Sequence, residues 1–141
     1  MSASTVIADV VDRPLDLADH VAAVANSHAG ATASFLGVVR DDDGGRAVTR
    51  LEYHAHPTAA AVIAEIAAEY AAVPDVLGVA VSHRVGTLEV GDVALVAAVS
   101  TAHRGEAFEL CARLVNEVKH RLPVWKRQEF ADGTDEWVNC P

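Results

Sequence analysis

Cysteine is scarce in this chain of 141 residues, and long apolar runs are absent. The two cysteines, Cys111 and Cys140, are too few for a disulfide framework, and no Cys-x-x-Cys spacing suits zinc or redox chemistry. The longest apolar run, 93–99, is much shorter than the roughly 18 residues that span a bilayer. The N-terminus lacks the basic and apolar regions of a signal peptide. We therefore expect a cytoplasmic protein with no membrane partner.

Positive charge is also scarce: 20 acidic residues outnumber 11 basic ones, and the net charge is −9. Such a chain lacks the basic footprint of nucleic-acid binding, so we expect no nucleic-acid partner. Six of the 11 basic residues nevertheless lie within 103–127, where they outnumber three glutamates. A local cationic site in an acidic protein suggests a small anionic ligand. The alternative is a solvated helix face with ordinary ion pairs.

Hydrophobic periodicity and turn residues predict a single α+β domain over 1–141. Its helices should pack on a mainly antiparallel sheet. Strands are predicted over 5–11, 31–39, 47–54, 76–83, 93–101 and 124–130, with a short extended piece over 87–90. Helices are predicted from Asp16 to near Gly30, over 57–73 and over 106–122. We expect 31–54 to form a hairpin around an acidic turn over 41–45, and 132–133 to turn toward Trp137.

The chain has only two lysines, Lys119 and Lys126. Lys119 lies within the apolar arc of the last helix, where it either extends past the edge of the core or points into a pocket. Because Pro123 ends that helix, Lys126 belongs to the next strand. The two lysines converge only if this strand folds back along the helix. Two separate surface lysines are the alternative.

Other candidate residues lie at the ends of predicted strands. His103 and Arg104 join a strand to the last helix, where backbone N–H groups and the helix dipole favour an anion. Arg40 closes another strand, and either binds a ligand or pairs with the aspartates that follow it. His83-Arg84 is a similar pair, but it is weak by itself. His54 and His56 lack a third ligand, so we expect no metal. Serine-nucleophile, P-loop and dinucleotide motifs are missing.

These residues belong to a set of motifs that resembles the MoaE family, the large catalytic subunit of molybdopterin synthase. The resemblance covers about 30–137 and keeps its spacing throughout. Its motifs are Gly30-Ala31 through Phe35-x-Gly37-x-Val39-Arg40, Leu51-Glu52-Tyr53, His83-Arg84-Val85-Gly86-x-Leu88-x-Val90-Gly91, Ala102-His103-Arg104-x-x-Ala107-Phe108, Lys119-x-x-x-Pro123-x-Trp125-Lys126-Arg127, Gly133 and Trp137.

The resemblance implies a fold similar to an α/β hammerhead and a sulfur-transfer reaction. A small ubiquitin-like subunit would carry sulfur as a thiocarboxylate on its Gly-Gly tail. The large subunit would use it to convert cyclic pyranopterin monophosphate to molybdopterin by building a dithiolene. The family dimerises through the large subunit and binds one small subunit at each end, which gives a heterotetramer. No metal or organic cofactor is implied.

The resemblance also assigns roles to residues. Lys119 and Lys126 match the catalytic lysines, and both would also contact substrate. The remaining substrate-binding or pocket-lining positions are Val38, Val39, Arg40, His103, Arg104, Arg127 and Gln128. Two alternatives use the same scaffold: a module that only binds a phosphate ligand, and a subunit that only docks a ubiquitin-like partner. The lysine pair favours the enzyme, because binding alone could use arginines.

Overall fold

The computed structural model describes residues 4–140, with side chains described as far as Val138, and this part of the chain contains three helices and nine strands. In chain order they are β1 (Thr5–Val11), α1 (Leu17–Ala23), β2 (Ala31–Val38), β3 (Asp42–Asp43), β4 (Arg46–Ala55), α2 (Ala59–Ala71), β5 (Val76–Arg84), β6 (Gly86–Glu89), β7 (Val93–Thr101), α3 (Arg104–Arg121), β8 (Val124–Phe130) and β9 (Asp135–Cys140). None of the helices in the described residues is long and apolar enough to cross a membrane. The side chain of Cys140 lies outside the described part.

A four-stranded sheet in the order β1-β5-β7-β2 holds the main core. β1 pairs with β5 in parallel, and the other two pairs are antiparallel. The central strands β5 and β7 are apolar on both faces because helices cover both. Val79 and Val99 belong to the large core formed with α2 and α3, whereas Ala80 and Ala98 contact Val24 at the end of α1.

Helix α3 leads directly into β8, and the junction between them is fixed by burial. The helix buries Leu110, Leu114 and Val118, which are spaced four residues apart as on one face of an amphipathic helix. Leu122 and Val124, on either side of Pro123, are also buried. The exit of the chain from α3 is therefore held by the core. This fixes the backbone near Lys119 relative to the backbone near Lys126.

β4 is the centre of a second sheet, in the order β3-β4-β8-β9, and it also pairs with β6. The antiparallel pairing of β4 with β8 places Tyr53 opposite Lys126. A small core joins this sheet to the first one; its buried residues are Val39, Leu51, Leu88 and Ala94. The two sheets therefore meet near the end of β2 and the start of β7.

The α+β class and the mainly antiparallel pairing are confirmed, but the predicted hairpin over 31–54 is wrong. β2 pairs with β7, and β4 pairs with β8. The acidic turn instead closes the short strand β3 onto the start of β4, with Gly44 and Gly45 at φ values of 61° and 87°. Alternation along a strand identifies its buried face, but it does not identify the strand that lies beside it.

Two further boundaries differ from the sequence prediction. α1 ends at Ala23, not near Gly30, because the next residue, Val24, leaves the helix and packs under the sheet. There it lies so close to Gly78 that a β-carbon at Gly78 would come within 2.8 Å of the Val24 β-carbon. The stretch toward Trp137 forms the strand β9 against β8. The sequence indicated only the turn before it.

Candidate functional site

A cavity of about 370 Å³ opens where the two sheets meet the C-terminal end of α3. We call it the lysine cavity, because Lys119 and Lys126 both line it. Its other polar lining side chains are Arg40, Tyr53 and His83, and its main apolar walls are Phe35, Leu36, Val38, Leu95 and Val118. Strands from both sheets contribute, so the cavity depends on the complete fold.

Lys119 reaches the cavity from the last turn of α3. The preceding residue, Val118, is fully buried and anchors that turn in the core, while Lys119 itself is exposed. The C-terminal end of a helix carries partial negative charge, which favours a cation there. Lys119 therefore lies at the edge of the core, and its side chain lines a pocket.

Lys126 reaches the same cavity from β8, where it is half-buried. A hydrogen bond from the His56 backbone N–H to the Pro123 carbonyl, 3.0 Å long, holds the start of this strand against the end of β4. β8 then runs beside β4, which places Lys126 next to Tyr53. The strand after α3 therefore brings the second lysine to the pocket of the first.

The cations that line the lysine cavity form no salt bridge within the described residues 4–140. Within residues 4–140, the arginines in salt bridges are Arg46, Arg50, Arg84, Arg113, Arg121 and Arg127. Neither Arg40 nor either lysine belongs to this group, and the cavity lining includes no carboxylate. A pocket with three such cations beside apolar walls suits an anionic ligand that also has a flat, uncharged part.

A smaller cavity of about 80 Å³ adjoins the first, and both are lined by Val38, Arg40, Tyr53 and Lys126. Val39 and Gln128 also line the smaller cavity, where both are buried. Asp42 and Asp43 line it as well, so two carboxylates share this smaller cavity with Arg40 and Lys126. The side chain of Gln128 donates a 2.8 Å hydrogen bond to Asp43. These two predicted pocket residues therefore support the site from behind.

Arg127 faces away from both cavities. Side chains alternate along a strand, so Lys126 and Arg127 point to opposite faces of β8. Arg127 forms ion pairs with Glu52, with Asp135 at 2.6 Å and with Glu129 at 3.7 Å. The hydrogen bonds to Asp135 and Glu52 raise the pKa of Arg127 above its ordinary value. The alternation of side chains along a predicted strand therefore already indicated that Arg127 lies on the opposite face from Lys126.

His103 and Arg104 lie at the opposite end of α3 from Lys119. His103 is the N-cap of the helix and Arg104 is its first residue, and both are exposed. Lys119 is fifteen positions after Arg104 on this helix, which corresponds to roughly 22 Å along the helix axis. A single copy of the chain therefore does not bring His103 and Arg104 to the lysine cavity.

Two polar lining residues were not among the predicted catalytic or substrate-binding positions: Tyr53 was not singled out, and His83 was considered only as part of the weak His83-Arg84 pair. Both occur in the motifs of the family resemblance, but their role depends on pairing that a sequence does not display. Their rings pack edge to face, with centroids 4.8 Å apart. Burial lowers the pKa of His83 to about 4; the hydrogen bond to the Arg84 carbonyl opposes this shift, and the charge of Lys119 adds to it.

The described part of the chain contains no group of three or more His, Cys, Asp or Glu residues placed so that it could hold a metal ion. His56 shares a 2.9 Å hydrogen bond with Thr58, and the His54 ring lies 5.3 Å from that of Trp137. Cys111 is buried on α3, as predicted, and burial raises the pKa of its thiol. A neutral buried thiol is a poor nucleophile.

Comparisons with known proteins identify relatives over most of the chain. The family described as "MoaE protein" matches residues 10–121. The molybdopterin synthase catalytic subunit of Nostoc sp. is 38% identical over 128 residues, which cover 89% of this chain and 78% of that protein.

Solved structures share the fold. The structure of molybdopterin synthase from Staphylococcus aureus matches with a TM-score of 0.85 and 28% identity, over 93% of this chain and 96% of that one. A complex of subunits 1 and 2 of the molybdopterin-converting factor from Helicobacter pylori includes a chain that matches with a TM-score of 0.68, over 98% and 90% of the two chains. At 17% identity, the second match shows likeness of fold alone.

Proposed function

The chain belongs to the MoaE family, and we propose that it transfers the sulfur that converts cyclic pyranopterin monophosphate to molybdopterin. The sulfur donor is the thiocarboxylated Gly-Gly tail of a small ubiquitin-like subunit. The family predicted from the sequence is confirmed, and so is the function as a molybdopterin synthase catalytic subunit, a sulfur-transferring enzyme of molybdenum cofactor biosynthesis.

The observation that carries this proposal is the convergence of both lysines with Arg40 on one cavity that has no carboxylate. The precursor carries a phosphate, which needs cations that are not already paired within the protein. Its ring system needs an apolar wall, which Phe35, Leu95 and Val118 supply. The cavity thus matches both parts of the substrate.

The two lysines act on the charge that develops during sulfur transfer. When the tail carbonyl passes through a tetrahedral state, negative charge accumulates on its oxygen, and a nearby ammonium stabilises that oxygen. We assign this role to Lys119, which stands at the edge of the core where a partner's tail could enter, together with proton transfer during the attack. Lys126 supplies a second cation at the same centre. No metal or organic cofactor is needed for these steps.

His103 and Arg104 fit this proposal only if two copies of the chain associate. They lie too far from the lysine cavity of their own chain to bind the same substrate molecule. In a homodimer, which we propose within a heterotetramer, they would serve the cavity of the second copy. Mixing an Arg104→Ala chain with a Lys119→Ala chain tests this, because a shared site would restore part of the activity in the mixed dimer.

Reconstitution tests the proposed reaction directly. The purified chain is supplied with a thiocarboxylated small subunit and cyclic pyranopterin monophosphate, and molybdopterin is measured. We expect Lys119→Ala to abolish product while the small subunit stays bound. Arg113→Ala is the matched control, because Arg113 is an exposed cation on the same helix, lies outside the lining of the lysine cavity and forms a long ion pair with Glu109, at 4.0 Å. Full turnover by Lys119→Ala would contradict the catalytic assignment.

The cellular location follows from the same proposal. We place the protein in the cytoplasm, where a buried, unpaired thiol such as that of Cys111 is stable in its reduced form. Fractionation of the producing cells, with detection of the chain and of its small-subunit partner in the same fraction, tests this placement.

A further inference from the structure

His83 is a polar residue of the lysine cavity for which the proposed sulfur transfer assigns no role. It lies near the end of β5 with 3% of its surface exposed, and it lines the cavity together with Lys119. Its ring is held at 82° to the ring of Tyr53. Burying an imidazole is costly unless its nitrogens are hydrogen-bonded, so its partners indicate what it can do.

The hydrogen bonds of His83 fix its tautomer. Nδ1 lies 2.7 Å from the carbonyl oxygen of Arg84, and because a carbonyl only accepts, Nδ1 carries the hydrogen and donates it. In a neutral ring, Nε2 is then an acceptor with a free lone pair. Burial lowers the pKa of His83 to about 4, so the ring is neutral at physiological pH.

Side-chain acceptors are few in the lining of this cavity: apart from His83, only the Tyr53 hydroxyl can accept a hydrogen bond. Its three cations, Arg40, Lys119 and Lys126, have only donor groups. Within residues 4–140, Arg84 Nε is the one fully buried side-chain polar atom without a hydrogen-bond partner. Among the hydrogen bonds of the described residues, His83 uses only Nδ1, and its ring lines the cavity together with Lys119.

We propose that His83 is a positioning residue: its Nε2 accepts a hydrogen bond from the Lys119 ammonium and directs that group toward the carbonyl of the partner's tail. The role rests on the proposed sulfur transfer. Lysine is a flexible side chain, and Lys119 stands at an exposed helix end, so its ammonium needs an orienting contact. A neutral acceptor orients it without cancelling its charge, whereas a carboxylate would weaken stabilisation of the oxyanion.

Two substitutions separate this role from packing. The amide of His83→Asn reaches about as far as Nδ1, so it keeps a donor for the Arg84 carbonyl and removes the acceptor at Nε2. The longer His83→Gln keeps an acceptor near Nε2. We expect kcat to fall roughly tenfold or more in His83→Asn and to recover to within about threefold in His83→Gln, while KM for the precursor changes little. A purely structural role predicts a larger loss of kcat in His83→Gln than in His83→Asn, and that result would overturn the proposal.

His20 offers a matched control for the effect of changing a buried histidine. It is 8% exposed, and its Nδ1 donates a 2.7 Å hydrogen bond to the Asp16 carbonyl. It lines a separate pocket of about 190 Å³. We expect His20→Asn to lower the melting temperature and to leave kcat unchanged. If His20→Asn lowers kcat as much as His83→Asn at equal loss of stability, the effect is one of packing and the proposal fails.

A chemical measurement on the isolated chain does not depend on the proposed reaction. Because the chain has only two lysines, competitive acetylation followed by mass spectrometry reports the reactivity of Lys119 against Lys126 as an internal reference. Loss of the acceptor destabilises the ammonium form of Lys119, so we expect its relative acetylation rate to rise about twofold or more in His83→Asn. An unchanged ratio would overturn the positioning role. A changed ratio in a chain that transfers no sulfur would overturn only the proposed function.

Discussion

Lys126 and Arg127 are neighbours on β8, yet the protein surrounds their charges in opposite ways. Arg127 faces a cluster that we call the arginine network, formed with Arg50, Glu52, Glu129 and Asp135. Lys126 faces the lysine cavity, which has three cations and no carboxylate in its lining. One strand thus separates a cation that is already paired from a cation that is available to a ligand.

The comparison shows why net charge is a poor guide to this site. Counting residues gives a chain of charge −9 with a cationic stretch near its end. The stretch contains cations of both kinds, and only the fold sorts them. An arginine that is already paired with carboxylates, such as Arg127, holds little free charge for a ligand. The functional signal is therefore that Lys119, Lys126 and Arg40 line one cavity without a carboxylate in its lining and form no salt bridge within residues 4–140.

Removing a cavity cation should give the largest effect. We expect Lys126→Ala to lower kcat for molybdopterin formation by at least about a hundredfold, because the oxyanion and the substrate lose a preorganised charge. Reconstituted turnover, with binding of the small subunit measured in parallel, checks this. Retained turnover would remove the distinction between the two faces of β8.

The next largest effect should come from Arg40. Arg40 lines both cavities, and a guanidinium suits a phosphate because it can bind it through two N–H donors. We expect Arg40→Ala to raise KM for the precursor about tenfold or more with a smaller change in kcat, and added salt to weaken binding by the wild type more than by the variant. If kcat falls while KM is unchanged, Arg40 does not serve the phosphate.

We expect the lysine cavity and the arginine network to lose their contributions to stability in different pH ranges. His83 in the folded protein has a pKa of about 4 against an ordinary value of 6.5, so its contribution to stability is present above pH 6.5 and is lost as pH falls toward 4. Because the unfolded state binds one more proton in this range, the free energy of unfolding should fall by about 1.4 kcal/mol per pH unit. Denaturant unfolding at several pH values measures the slope, and His83→Asn should reduce it.

The arginine network loses stability at lower pH than the cavity region. A hydrogen bond from Arg50, 2.5 Å long, lowers the pKa of Glu129 below its usual 4.5. The stabilising effect of the Glu129 carboxylate is therefore present above pH 4.5 and is lost only at lower pH. If the free energy of unfolding stays constant from pH 6.5 to about 4.5, the loss of stability that we assign to His83 in this range is contradicted.

The smallest effect on turnover should come from Arg127. We expect Arg127→Ala to lower the melting temperature, since Glu52 and Asp135 lose their partner, and to change kcat/KM by less than about threefold. The family resemblance instead implies that Arg127 contacts the substrate. Such a contact would require Arg127→Ala to lose as much turnover as Lys126→Ala. Parallel assays of the two variants decide between these expectations.

The sequence predicted those parts of the fold that depend on local pattern. The apolar run of β7, the helix α3 and its end at Pro123 all lie close to their predicted positions. The partner of β2 was wrong because strand pairing depends on distant residues. β9 was missed because it is exposed up to Trp137 and lacks an apolar alternation.

The candidate site was predictable to a similar degree. Lys119 and Lys126 stood out because they are the only lysines, and their meeting required only that the chain fold back after Pro123. The roles of Tyr53 and His83 in the cavity could not be read from local pattern, because β4 and β5 reach it through pairing in separate sheets. The placement of His103 and Arg104 required the length of α3 to be known in three dimensions.

Equilibrium binding of cyclic pyranopterin monophosphate to Lys126→Ala and Arg127→Ala, measured side by side by calorimetry, tests the central claim most directly. If unneutralised charge marks the site, Lys126→Ala loses roughly tenfold or more in affinity, which corresponds to one lost charge-assisted contact, and Arg127→Ala loses far less. Equal losses, or a greater loss in Arg127→Ala, would contradict the claim that only one face of β8 binds the substrate.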